Sequence, residues 1–175
     1  MENLLDNYCQ MVARVDALCR GIQAVLSGQI TCSEGCSDCC TAITLFPVEA
    51  AALNAALEAL PEDQRDAIRH HVAAHAGGER CPLLEDHRCL LYAARPIICR
   101  THGLPIIYTE GNERKADCCP LNLNEGDQPV SGSAIIDLDR LNTLLVAVNA
   151  LYLSHVEADG QPERLTIAEA LKVKP

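Results

Sequence analysis

Tryptophan is absent from this chain, phenylalanine occurs once and methionine twice. A packed interior must therefore come from Leu, Ala, Val and Ile, and a hydrophobic share of 49% supplies enough of them. These residues never gather into an apolar run near the ~20 residues that cross a bilayer, so we expect a soluble protein with no membrane partner. The opening stretch MENLLDNYCQ lacks the basic segment and apolar core of a secretory signal. We therefore expect a cytoplasmic protein, in a compartment that keeps thiols reduced. Positive charge is scarce as well: 14 Lys and Arg stand against 24 Asp and Glu, for a net charge of −10 at pH 7. That balance argues against nucleic acid or an anionic lipid surface as partner, because both select basic patches. No nucleophile–base arrangement, P-loop or dinucleotide fingerprint is present, and the residues specify no substrate.

Cysteine is the residue in surplus, with 11 in 175 residues. Nine fall in two patches. The first, CSEGCSDCC, holds Cys32, Cys36, Cys39 and Cys40, and the second runs from Cys81 through Cys89 and Cys99 to Cys118 and Cys119. In a reducing compartment thiols crowd together to hold metal rather than to form disulfides, so all nine are candidate ligands. The short gaps of the first patch let several sulfurs converge from one loop. The adjacent Cys39 and Cys40 point in different directions in most backbone conformations, which suits two metal sites better than one. The wider spacing of the second patch requires tertiary folding to assemble it. Between Arg80 and Lys115 six basic residues face four acidic ones, a local basic surplus where the thiolates concentrate. Arg95 and Arg100 flank Cys99, and a guanidinium behind an anionic thiolate centre would stabilise it. Cys9 and Cys19 lie ten residues apart on one helix, ~15 Å along its axis, and are expected to take no part.

The histidines carry less of the argument. His71 and His75 share a helix face without an HExxH pattern and are expected on a solvated face. His155 is expected as a hydrogen-bonded core residue, and His87 and His102 are reserve ligands beside Cys89 and Cys99.

Periodicity organises the rest. Residues 3–27 read as an amphipathic helix with a stripe of Leu4, Tyr8, Met11, Val15, Leu18, Ile22 and Val25. Pro47 opens an Ala/Leu-rich helix to Leu60, and Pro61 opens a second one to about His75, ended by Gly77-Gly78. This helical hairpin is expected to bring Cys81 back beside Cys40. Pro96 forces a break at Arg95, and LPIIYTEGNERKAD reads as a β-hairpin about Gly111-Asn112. Asp137 caps a last long helix over 138–155, with Leu138, Leu141, Leu145, Val148 and Tyr152 on one stripe. Thr166 and Glu169 form a capping box for a short final helix. The expectation is a mainly α single domain, 1–175, of about five helices with a small β-hairpin around a cysteine-rich metal core. Its motif region is 32–119, between the first helix and the last long one. The heptad-like first helix leaves a homodimer open, and a protein partner is not specified.

The runs CxxxCxxCC, C-P-x-L and C-x-x-Y-x-x-R-P-x-x-C-R resemble the bacterial YkgJ-like cysteine-cluster family, described as zinc- or iron-chelating, over Cys32 to about Cys119. The resemblance implies a metal-chelating domain. Flagellin lysine methylases are similar in the same pattern, which implies, as an alternative, a modifying enzyme with an iron–sulfur cluster and S-adenosylmethionine. The chain lacks the βα alternation of a barrel, and we expect an accessory, sensing or electron-carrying metalloprotein. Cys32, Cys36 and Cys39 form a tight run suited to a 4Fe-4S cluster, the preferred cofactor. Zn²⁺ is the alternative, favoured where ligands come from distant pairs.

Overall fold

The computed structural model describes residues 4–33, 35–123, 130–156 and 162–173. In chain order its elements are α1 (Asp6–Val25), β1 (Thr44–Leu45), α2 (Pro47–Glu58), α3 (Glu62–His75), β2 (Leu84–Glu85), β3 (Arg88–Cys89), α4 (Ile97–Thr101), β4 (Ile106–Glu110), β5 (Glu113–Asp117), β6 (Ile136–Asp137), α5 (Leu138–Leu153), β7 (Leu165–Thr166) and α6 (Ile167–Ala170). The protein is mainly α, with about 49% of the described residues in helix and 14% in strand. Its contacts divide it into two units. The first comprises Met1–Tyr8, Glu34–Pro96 and Val148–Pro175, the second Cys9–Ser33 and Ile97–Ala147.

In the first unit, local signals start and stop α2 and α3 where the prolines and glycines place them. Pro47 occupies the first turn of α2, where its fixed φ suits the helix and its missing N–H costs nothing. Glu49 reaches back to accept the Phe46 N–H at 3.2 Å. The orphan N–H of Val48 donates to Oδ1 of the buried Asn149 on α5, at 3.1 Å. α3 carries Glu62 and Asp63 in its first turn, favourable against the helix dipole, and Gly77 follows it at φ 82°. Arg69 of α3 pairs with Glu58 of α2.

The core of this unit is aliphatic. Leu45, Leu53, Leu57, Ile68, Val72, Leu83, Leu91, Ile167 and Leu171 form one buried cluster, with Cys81 and Cys89 partly buried at its edge. Full burial of each of the large ones is worth roughly 1.5–3 kcal/mol. The closing strand is long-range: β7 pairs antiparallel with β1, Thr44 opposite Thr166 and Leu45 opposite Leu165. That pairing delivers α6, started by the expected Thr166–Glu169 capping box, onto the core.

The second unit contains most of α1, the helix α4 and a three-stranded sheet in the order β5-β4-β6. The hairpin β4–β5 turns at Gly111-Asn112 as its sequence indicated, with Gly111 at φ 61° supplying the positive angle of a tight hairpin. β6 adds in parallel, Ile106 opposite Ile136. Asp137 then caps α5, its Oδ1 accepting the Arg140 N–H at 3.1 Å and its Oδ2 pairing with Arg114 at 2.7 Å. These bonds, that from Arg140 first, hold its carboxyl below the usual range.

Two helical stripes differ from their expected phase. On α1 the buried face is Tyr8, Met11, Val15, Cys19, Ile22 and Leu26, while Leu4, Leu18 and Val25 are exposed. The two series share Tyr8, Met11, Val15 and Ile22 and part where Cys19 takes the place given to Leu18 and Leu26 that given to Val25. On α5 the stripe passes through Leu141 and Leu145 to Asn149 rather than Val148, because Asn149 serves α2. His155 is exposed, with Nδ1 against the Leu151 carbonyl, and is no core residue.

Candidate metal centre

The cysteines fall into two groups, one in each unit. In the first unit the helical hairpin brings Cys81 back beside Cys40: Thr41 and Arg80 form an antiparallel bridge, the Ala42 N–H donates to the Glu79 carbonyl at 2.8 Å, and the Cys81 N–H donates to the Cys40 carbonyl at 3.1 Å. Cys89 arrives on β3, opposite Leu84 of β2. The turn between these strands is only Asp86-His87, at φ 45° and 63°. Two consecutive non-glycine residues at positive φ are strained. The His87 ring helps hold the turn, its Nδ1 standing 2.9 Å from Oγ of the buried Ser37, next to Cys36.

Burial is the main influence on these thiols. It pushes Cys81 up to about 11 and raises Cys40 and Cys89. The charge of Cys89 adds to the rise at both Cys40 and Cys81, and Cys36 adds to it at Cys40. Backbone hydrogen bonds from Leu83 and Leu91 oppose it at Cys81 and Cys89, and two arginines do so as well. Arg80, braced on the loop by donating to the Ser37 and Asp38 carbonyls at 2.8 and 3.3 Å, favours the thiolates of Cys40 and Cys81. Arg95 favours that of Cys89, and its guanidinium lies 3.6 Å over the Tyr92 ring. Cys39 is exposed and makes a side-chain hydrogen bond with Cys40.

The second unit holds Cys32, Cys99, Cys118 and Cys119. Asn122 donates from Nδ2 to the Cys32 sulfur at 3.3 Å, and the Cys119 N–H donates to the Gly103 carbonyl at 3.3 Å. Cys99 lies on α4, four residues before Gly103. Cys118 is raised by burial, then by the charges of Asp117 and Cys119. Arg100 turns to α1, where Nη1 contacts both carboxylate oxygens of Asp16 at 2.9 and 2.8 Å. One turn along, Cys19 donates to the Arg100 carbonyl at 3.5 Å. Cys9 is exposed on α1.

No disulfide joins any of the cysteines, and among the described residues no three Cys, His, Asp or Glu side chains converge closely enough to enclose an ion. Thiolates are the donors that soft and borderline metals take. Buried, mutually repelling thiols stay protonated on their own and lose their protons to a cation that neutralises them together. His71 does not lie on a solvated face: it is partly buried, with Nε2 against the Leu84 carbonyl at 3.1 Å and Nδ1 3.2 Å from Glu85.

The CxxCxxCC family model, "Putative zinc- or iron-chelating domain", matches residues 31–125, more than half of the chain and both cysteine patches. The chain belongs to this family. Its own run is CxxxCxxCC, with three residues in the first gap. No curated protein and no solved structure matches the chain.

Sequence patterns pointed to the cysteines and to a basic surplus that includes Arg80, but missed Ser37, Gly103 and Asn122. Ser37 adjoins Cys36, a proximity that could have flagged it. Gly103 and Asn122 carried no comparable signal.

Proposed function

We propose that the protein chelates zinc in two separate thiolate centres, one drawn from Cys36, Cys39, Cys40, Cys81 and Cys89 and the other from Cys32, Cys99, Cys118 and Cys119. The observation that carries this reading is the bridge that sets Cys81 beside Cys40 within electrostatic reach of Cys89. Ligands drawn from distant segments suit a zinc site. Cys32 is tied by Asn122 within the second unit, and Cys36 and Cys39 belong to the first. Arg80 and Arg95 would offset the excess negative charge of the first centre. A bound zinc would supply a redox-inert cross-link between segments distant in sequence, consistent with an accessory role in holding the fold or sensing metal.

A 4Fe-4S cluster is the second reading, supported by the basic side chains facing the thiols, which would tune a cluster's potential and suit an electron carrier. Anaerobic purification with both metals supplied separates the two. Zinc predicts a colourless protein without acid-labile sulfide. A brown protein whose colour bleaches on reduction, with iron and sulfide in proportion, would replace zinc by the cluster.

A further inference from the structure

Asn122 is buried, with 3% of its surface exposed, and every polar atom of its side chain is engaged. Its Oδ1 accepts the Thr31 N–H at 2.8 Å and the Thr31 hydroxyl at 3.0 Å. Its Nδ2 donates to the Gly103 carbonyl at 2.6 Å and to the Cys32 sulfur at 3.3 Å. A backbone donor at one end and a backbone acceptor at the other fix the orientation of the amide, so the group facing the sulfur is an N–H. The Asn122 N–H donates in turn to the Cys119 carbonyl at 2.9 Å. One residue thus ties together the segments that carry Cys32, Gly103 and Cys119.

Gly103 completes the arrangement. At φ 89° it occupies a conformation few side chains tolerate, and a Cβ there would lie 2.7 Å from the Cys32 sulfur. The sulfur occupies the space a side chain would need.

We infer that Asn122 is the positioning residue of the centre that contains Cys32: its N–H holds and polarises that sulfur as a metal-bound thiolate, and Gly103 leaves the sulfur room. The inference rests on the reading that Cys32 belongs to a metal centre. An N–H donated to a ligand sulfur stabilises its negative charge and fixes its direction, and residues in this position typically govern metal affinity by roughly 10–100-fold.

The test is a Co²⁺ titration of the full chain, stripped of metal and kept reduced, with sulfur-to-cobalt charge-transfer bands as the signal. Cys32→Ser identifies the bands of this centre, and if that variant binds cobalt as the parent does, the underlying reading fails. Asn122→Asp keeps an acceptor for Thr31 and removes the Nδ2 donor to both Cys32 and the Gly103 carbonyl. It is expected to weaken cobalt binding at the Cys32 centre roughly 10–100-fold and to move its charge-transfer band to lower energy, with the remaining cobalt signal unchanged. Thr31→Val removes one bond to Oδ1, leaves both Nδ2 donors in place and should leave the band energy unmoved. The proposal is overturned if Asn122→Asp leaves affinity and band unchanged, if Thr31→Val shifts the band equally, or if Asn122→Asp unfolds the chain and abolishes all cobalt signals together.

Discussion

The two thiol groups are organised by different means. Around Cys40, Cys81 and Cys89 the backbone positions the segments, through the Thr41–Arg80 bridge and the β2–β3 hairpin, and arginines face the sulfurs. Around Cys32 and Cys119 a buried side chain, Asn122, makes the ties, and Asp117 adds negative charge beside Cys118. The first group is pinned by main-chain pairing next to an aliphatic core, whereas in the second a buried side-chain amide adds the tie to Cys32 beside the Cys119–Gly103 main-chain bond. A backbone frame tolerates side-chain change better than a side-chain frame does, and the two groups should respond differently to the same perturbation.

The largest expected effect is the loss of a first-group ligand. Cys81→Ser should remove the metal of its own group and lower the melting temperature, because metal-binding free energy is also folding free energy. Next is the core beside that group. Leu57→Ala should cost about 2–5 kcal/mol in denaturant unfolding and disturb the first group more than the second. Asp16→Ala should cost about 2 kcal/mol by removing one charged partner of Arg100, whose side chain is 8% exposed. Equal disturbance of both groups by Leu57→Ala would dissolve the distinction between them.

A pH series sharpens it further. With Cys81 pushed up to about 11 and Cys40 and Cys89 also raised, metal must displace their protons throughout the neutral range. Affinity at the first group should therefore rise as pH increases and fall as pH drops, continuing to climb as pH approaches 11. A plateau near neutrality in a zinc competition assay would show thiols already ionised. The smallest effect is expected from Cys9→Ala with Cys19→Ala, which should leave metal content unchanged. Loss of metal in that double variant would bring α1 into a centre.

Much of the frame was legible because it is punctuated locally. Pro47, Pro61, Gly77, Pro96, Gly111 and the Thr166 box act on their own neighbours, and the structure turns where they stand. What escaped detection depends on long-range geometry. The β1–β7 pairing joins residues some 120 apart and has no local signature. The Asp86-His87 turn uses positive φ without glycine or asparagine, the residues by which a tight hairpin is normally recognised. On α1 the choice between Leu18 and Cys19 turns on what the helix packs against, and Cys19 is small enough to lie at the centre of the face. The nine patch cysteines were visible as metal-ligand candidates, but their division was not, since Cys32 and Cys36 are near neighbours in sequence and belong to different units.

The most direct test of two separate centres is metal content per chain, measured after anaerobic purification for the parent, Cys81→Ser and Cys32→Ser. Two centres predict that each variant loses part of the parent's metal and keeps the rest, and that the two losses together account for the whole. If either substitution alone abolishes all metal from a folded chain, or if neither lowers it, the division into two centres is contradicted.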